Sequence, residues 1–266
     1  MKVEINGHAA FAYTGGKPFD PALPCVVFVH GALHDHSAWT LLARWFAHHG
    51  HGVLAVDLPG HSQSEGAPLD SVEATADWLW ALLDHAGVKQ AAFVGHSMGS
   101  LIALEAASRA PERAQALVMV GTAYPMKVSD ALLATARDDP ARAIAMVNAF
   151  SHSSLASKPS YPGPGAWLRG GGSALMHRLQ TDADGNLFEH DFRVCDAYAG
   201  GLEAARRVTC PSHLIVGTRD AMTPARSSNE LAAALRAEVT RIVSGHALMQ
   251  EAPDAVLNAM RLAVPA

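Results

Sequence analysis

The sequence predicts an α/β fold, a mostly parallel central sheet flanked by helices, carrying a helical insertion. Three observations point to it. Short β-rich runs alternate with amphipathic stretches, the runs are apolar almost without interruption, and the alternation lapses once, between about Tyr124 and Arg206. Strands covered on both faces read as continuous apolar runs, and helical crossovers are what join parallel neighbours.

At the N-terminus, "MKVEINGHAAFAYTGG" combines alternation with an Asn6-Gly7 turn and predicts a β-hairpin. Apolar runs then mark strands at Cys25–Val29, Val53–Val56, Ala91–Val94, Ala116–Val120, Leu214–Val216 and Val239–Val243. Amphipathic segments around Trp39–His49, Ser71–Ala86, Leu101–Ala110 and Ser227–Leu235 supply helices between them, and Pro253–Leu262 a last one. Within the insertion, alanine-rich helical segments flank "SKPSYPGPGAWLRGGGS", Ser157 to Ser173, whose prolines and glycines argue against a regular helix or a central strand. A long irregular loop is expected there, either a lid or a plain surface loop. The chain thus divides into a core of residues 1–123 and 207–266 and a helical cap over 124–206.

A chain of 266 residues can bury roughly three-quarters of the surface its unfolded form exposes. With 49% hydrophobic and 17% charged residues its composition is that of an ordered globular protein. The formal charge of -5, without a lysine or arginine cluster, argues against a nucleic-acid partner. Cys25, Cys195 and Cys210 form no CxxC pair and read as reduced core residues of a cytoplasmic protein. The N-terminal segment lacks a basic stretch followed by an apolar one, and no apolar run approaches the roughly 20 residues that span a bilayer. The expected partner is a small-molecule substrate, with no membrane involved.

The sharpest local signal is Gly95-His96-Ser97-Met98-Gly99, which follows an apolar strand and opens the helical run "SLIALEAASRA". A serine on so tight a strand-to-helix turn needs tiny neighbours two positions either side. The helix start places the Met98 N–H where a developing oxyanion can use it. Serine is a poor nucleophile until a base takes its proton and a carboxylate orients that base. Of 15 histidines, His246 is the best placed, in a loop between the last strand and the last helix. Asp220, after the strand Leu214–Val216 and before the Thr223-Pro224 turn, is the matching acid. Asp57 is better suited to holding its own loop, and Asp182, Asp184, Asp191 and Asp196 fall in the cap, away from a sheet terminus.

These residues resemble the α/β-hydrolase superfamily over nearly the whole chain. "HGALHDHSAW" looks like its HG…W segment, "DLPGHSQS" like its D-x-P-G-x-G-x-S loop, and "GHSMGS" like its nucleophile elbow. "GTRDAMTP" and "SGHALMQEAPD" are similar to its acid and histidine loops. The resemblance implies Ser97 as nucleophile, His246 as general base and then acid, and Asp220 as the orienting carboxylate. It also implies a second oxyanion N–H from Ala32, beside that of Met98, and needs no cofactor. One departure lies after Asp57, where glycine is usual and this chain has His61 followed by Ser62.

The histidines of "HGALHDHSAW" also raise a metal site, since His30, His34 and His36 crowd one loop. A hydrolytic metal wants three convergent ligands with supporting carboxylates, and no second compact set accompanies these. No metal is therefore expected. His30 is assigned to bonding loop backbone and His36 to the pocket mouth, while His34 either contacts substrate or lies at that mouth. Trp39 is assigned to anchoring the following helix. Met98, Met126, Trp167, Leu248 and Met249 are the candidate walls of an apolar pocket.

The function expected is a metal-independent serine hydrolase, carboxylesterase-like, cleaving a small, largely apolar ester or lactone through an acyl-enzyme. Two alternatives stand beside it: a hydrolase of carbon–carbon bonds in ring-cleavage-type diketones using the same triad, and a small-ligand-binding protein that keeps the fold without catalysis.

Overall fold

The computed structural model describes residues 1–153 and 168–265. The chain opens with the hairpin β1 (Lys2–Ile5) and β2 (His8–Tyr13), turned at Asn6 and Gly7 with φ of 53° and 83°. Then come β3 (Cys25–Val29), α1 (Thr40–His48), β4 (Gly52–Val56), α2 (Val72–His85), β5 (Ala91–His96), α3 (Met98–Arg109) and β6 (Ala114–Val120). Between β6 and the next strand lie α4 (Asp130–Asp138), α5 (Pro140–Phe150), α6 (Leu168–Asp182), α7 (Leu187–Ala197) and α8 (Gly201–Arg207). The chain finishes with β7 (Ser212–Gly217), α9 (Asn229–Leu235), β8 (Glu238–Ile242), α10 (Leu248–Glu251) and α11 (Pro253–Ala263).

The eight strands form one sheet in the order β1-β2-β4-β3-β5-β6-β7-β8. From β4 to β8 every pairing is parallel, while β2 pairs antiparallel with both β1 and β4. Every residue of β3, β4 and β5 is buried, which is why these strands are apolar on both faces. On one side of the sheet α2, α3 and α9 enclose a core that includes Leu79, Leu101, Phe93 and Leu231. On the other, α1 and α11 enclose Phe28, Phe46, Val256 and Met260. Trp39, fully buried, packs with its ring 5.3 Å from that of Phe28 at a tilt of 42° and anchors the start of α1.

A third cluster joins α4 to α7 through Ala136, Ile144, Met176, Leu179, Phe188 and Phe192, and among its fully buried members is Leu33 from the loop after β3. The glycines of "LRGGGS" do not extend the expected loop: Leu168 to Ser173 open α6 as regular helix. Burial outweighs propensity here, because Gly172 packs where a Cβ would come 3.2 Å from Asn148 Oδ1. Among the described residues no helix is long and apolar enough to cross a membrane.

Candidate active site

Ser97 sits between β5 and α3 with φ 52° and ψ -122°, a left-handed conformation uncommon outside glycine. Its N–H donates to Val120 O at 3.0 Å, and its carbonyl accepts from Ser100 N at 2.8 Å. The flanking glycines are required by space. A Cβ on Gly95 would lie 2.0 Å from Gly99 O, and one on Gly99 2.3 Å from Val29 O. As the first residue of α3, Met98 has no intrahelical acceptor for its N–H.

His246 lies beyond β8, and its Nδ1 is 2.8 Å from Asp220 Oδ2. Asp220 also accepts from Met222 N and Thr223 N at 2.8 Å each and from Thr223 Oγ1 at 2.7 Å. Burial works to raise its pKa, but the neighbouring His246 and the bonds from Thr223 outweigh that and hold it below the usual carboxylate range. An ionised acceptor at Nδ1 keeps the proton there and leaves Nε2 as the basic nitrogen. Thr223, which the sequence marks only as part of a turn, belongs to the same network, its hydroxyl 3.1 Å from His246 Nδ1.

His96, to which the sequence assigns no role, bonds the backbone of the histidine loop. Its Nε2–H donates to His246 O at 2.9 Å, and the two rings stand 4.7 Å apart. Burial, followed by the neighbouring histidines, pushes its pKa well down, so the ring is neutral.

The loop after β3 passes over Ser97. A Cβ on Gly31 would lie 3.2 Å from Ser97 Cβ, so the Gly31-Ala32 step runs closely past the serine. The Ala32 N–H has no hydrogen-bond partner among the described residues. His30 Nδ1–H donates to Gly31 O at 2.9 Å, while Leu58 N–H donates to His30 Nε2 at 3.1 Å. That pattern requires a neutral ring, and burial with the nearby His61 lowers its pKa to about 4.

The three histidines of this loop diverge. His34 lines the cavity at Ser97, its Nδ1–H donating to Ala32 O at 2.8 Å, and burial lowers its pKa. His36 is not at the mouth, as expected from sequence. It turns the other way, its Nδ1 2.8 Å from Asp57 Oδ1 and its ring against Phe11 and Tyr13. Asp57 also accepts from His36 N and Gln63 N and so ties two loops together. Among the described residues no cluster of three or more His, Cys, Asp or Glu side chains is arranged to hold a metal ion.

The cavity beside Ser97 measures about 300 Å³, and His246, His34, Ala32 and Met126 border it. Its other walls are chiefly apolar: Leu132, Met146, Val147, Met176, Phe192 and Met222. Leu248 and Met249 do not line it. They open α10 and pack with the core cluster under α1 and α11, because the chain turns back onto the sheet directly after His246. Trp167 lies outside the described residues. Leu132, Met146, Val147, Phe150, Met176, Phe192 and Cys195 reach the cavity from α4 to α7, and these residues carry no local motif.

A sequence model of the alpha/beta hydrolase fold matches residues 24–162. Over 236 residues the chain is 34% identical to a pimeloyl-(acyl-carrier protein) methyl ester esterase of Chromobacterium violaceum, covering 86% of this chain and 80% of that protein. It is 27% identical over 270 residues to a dihydrolipoyllysine-residue acetyltransferase component of an acetoin cleaving system from Pseudomonas putida, covering 98% of this chain and 68% of that protein. Some other curated relatives are matched over only 33% of their length. Among solved structures, an enol-lactonase from Burkholderia xenovorans LB400 superposes with a TM-score of 0.79 at 20% identity, covering 98% of each chain.

Proposed function

The chain belongs to the α/β-hydrolase family, as a hydrolase, and we propose that it is a metal-independent serine hydrolase cleaving a small, largely apolar carboxylic ester or lactone. One observation carries the proposal: Ser97 and His246 border the same apolar cavity, and His246 is held by Asp220 from behind. The esterase and lactonase named among its relatives act on the same bond type.

In this mechanism His246 Nε2 takes the Ser97 proton as Oγ attacks the substrate carbonyl. The carbonyl oxygen becomes an oxyanion, for which the N–H groups of Ala32 and Met98 are the donors. Asp220 stabilises the imidazolium without taking its proton. Collapse expels the alcohol, which receives that proton from His246, and leaves Ser97 acylated. Water, deprotonated by His246, then releases the acid and restores the serine. A lactone follows the same course, its alcohol and acid remaining in one product.

The cap formed by the helices between β6 and β7 supplies the acyl pocket in this reading. His34, neutral with Nδ1 as donor to Ala32 O, keeps Nε2 as an acceptor for a polar group of the substrate. A panel of p-nitrophenyl esters, simple lactones and vinylogous diketones on wild type and Ser97→Ala tests the proposal. Ester or lactone turnover lost in Ser97→Ala supports it; turnover confined to diketones, or retained in Ser97→Ala, overturns it.

A further inference from the structure

The turn after Ala32 is bolted into the helices that cover the site. Leu33 has φ 53°, costly for a branched side chain, and is 1% exposed. Its side chain belongs to the cluster of α4 to α7 rather than to the sheet. Its N–H donates at 2.8 Å to Oδ2 of Asp191 on α7. Two residues on, the buried Asp35 caps the next turn by accepting from Ser37 N, and its other oxygen lies 2.6 Å from Nη2 of Arg178 on α6. Both ends of the Leu33–Asp35 turn are therefore held by helices lying far along the chain.

Asp191 itself is fixed from below. His61 Nε2 lies 3.0 Å from the same Oδ2, and His61 Nδ1 lies 3.1 Å from Pro59 O. Both ring nitrogens face oxygens that only accept, so the ring satisfies them as the cation. Asp191 answers as a buried carboxylate, held well below its usual range despite burial by His61, His190 and Leu33 N–H.

We propose that Asp191, aided by Arg178, is a positioning residue for the oxyanion site: it holds Leu33 in its left-handed conformation and thereby sets the adjacent Ala32 N–H over Ser97. The inference rests on the serine-hydrolase reading above. It ties the covering helices to transition-state stabilisation as well as to substrate shape.

The test compares wild type, Asp191→Ala, Asp191→Asn, Arg178→Met and Ser97→Ala on p-nitrophenyl butyrate, with folding monitored by thermal melts. A butyl trifluoromethyl ketone serves as probe of the tetrahedral state. Asp191→Ala should lose about 10- to 100-fold in kcat with KM within twofold, since small misplacements of oxyanion donors are costly. Ketone affinity should fall by the same factor. Asparagine keeps an oxygen where Oδ2 stands and should restore kcat to within about threefold of wild type. A folded Asp191→Ala with wild-type kcat, a loss confined to KM, or an equal loss in asparagine overturns the proposal. Should Asp191→Ala not fold, Arg178→Met decides, because it cuts the second anchor at a half-exposed residue. A several-fold fall in kcat at constant KM supports the role, and unchanged kcat overturns it. Ser97→Ala separates the two ideas: residual turnover there refutes the serine reading, whereas a dead Ser97→Ala beside unaffected anchor variants refutes only the positioning role.

Discussion

Gly99 and Val29 meet backbone to backbone: a Cβ on Gly99 would stand 2.3 Å from the Val29 carbonyl oxygen. That carbonyl belongs to β3, at the centre of the sheet, and has no room to retreat. Gly99→Ala should therefore destabilise the protein by about 3 kcal/mol, at the upper end of overpacking costs. Urea unfolding checks this. A midpoint equal to wild type would show that the helix start can shift away.

Asp220 and His246 form the next expectation. Asp220→Asn keeps the shape of the side chain but no longer selects the Nδ1 proton of His246. Turnover should fall by about four orders of magnitude, the scale seen when an imidazole loses its orienting carboxylate. Stopped assays on folded enzyme measure it, and a loss under tenfold would remove Asp220 from its assigned role.

The buried His61–Asp191 pair should show in the pH dependence of stability. His61 has its pKa raised because Asp191 outweighs the lowering effect of burial. Its contribution is full below the ordinary histidine value, about 6.5, and is lost as pH rises through the raised value. Asp191, depressed, contributes above about pH 3.9 and loses that as pH falls through its lowered value. The groups facing this pair include His30, His34 and Asp57 from the neighbouring loops, Pro59 O and Leu33 N, and on α7 Cys195 and His190, the latter bonded to Asp70. Wild type should exceed His61→Gln in unfolding free energy by about 3 kcal/mol at pH 5, with the gap narrowing toward pH 9. A gap that does not change with pH would refute the charged pair.

Leu132 borders the cavity from α4 and is half-buried. Leu132→Trp should shorten the acyl pocket by two to three methylenes, each worth about 0.8 kcal/mol. KM for p-nitrophenyl octanoate should rise roughly tenfold or more while that for the acetate stays put. Equal effects on both esters would place the acyl chain elsewhere.

Much of this was legible in the sequence, for identifiable reasons. The parallel strands announced themselves because burial on both faces leaves no polar positions to interrupt them. The turn at Ser97 was legible because its glycines answer to a local steric demand. Asp220 and His246 could be chosen because each follows a strand whose end the pattern already located.

The rest depended on contacts that chain position does not reveal. Leu33 N–H and Asp191 are 158 residues apart, and His61 and Asp191 130. Asp191 looked remote from the sheet because nothing local says that α7 reaches back to it. His36, expected at the pocket mouth, is claimed instead by Asp57, which lies 21 residues further along the chain. In "PGHSQS" the left-handed turn falls on Ser62, at φ 50°, which leaves His61 free to face inward. Leu248 and Met249, expected in the pocket wall, open α10 and are buried in the core cluster under α1 and α11 instead.

In the proposed mechanism Ser97 is the group that is acylated. Intact-mass spectrometry after treatment with a fluorophosphonate tests this most directly, with peptide mapping of the adduct. One adduct should form, on Ser97, absent in Ser97→Ala and strongly slowed in His246→Ala. An adduct on another residue, or labelling of Ser97 at equal rate without His246, would contradict it.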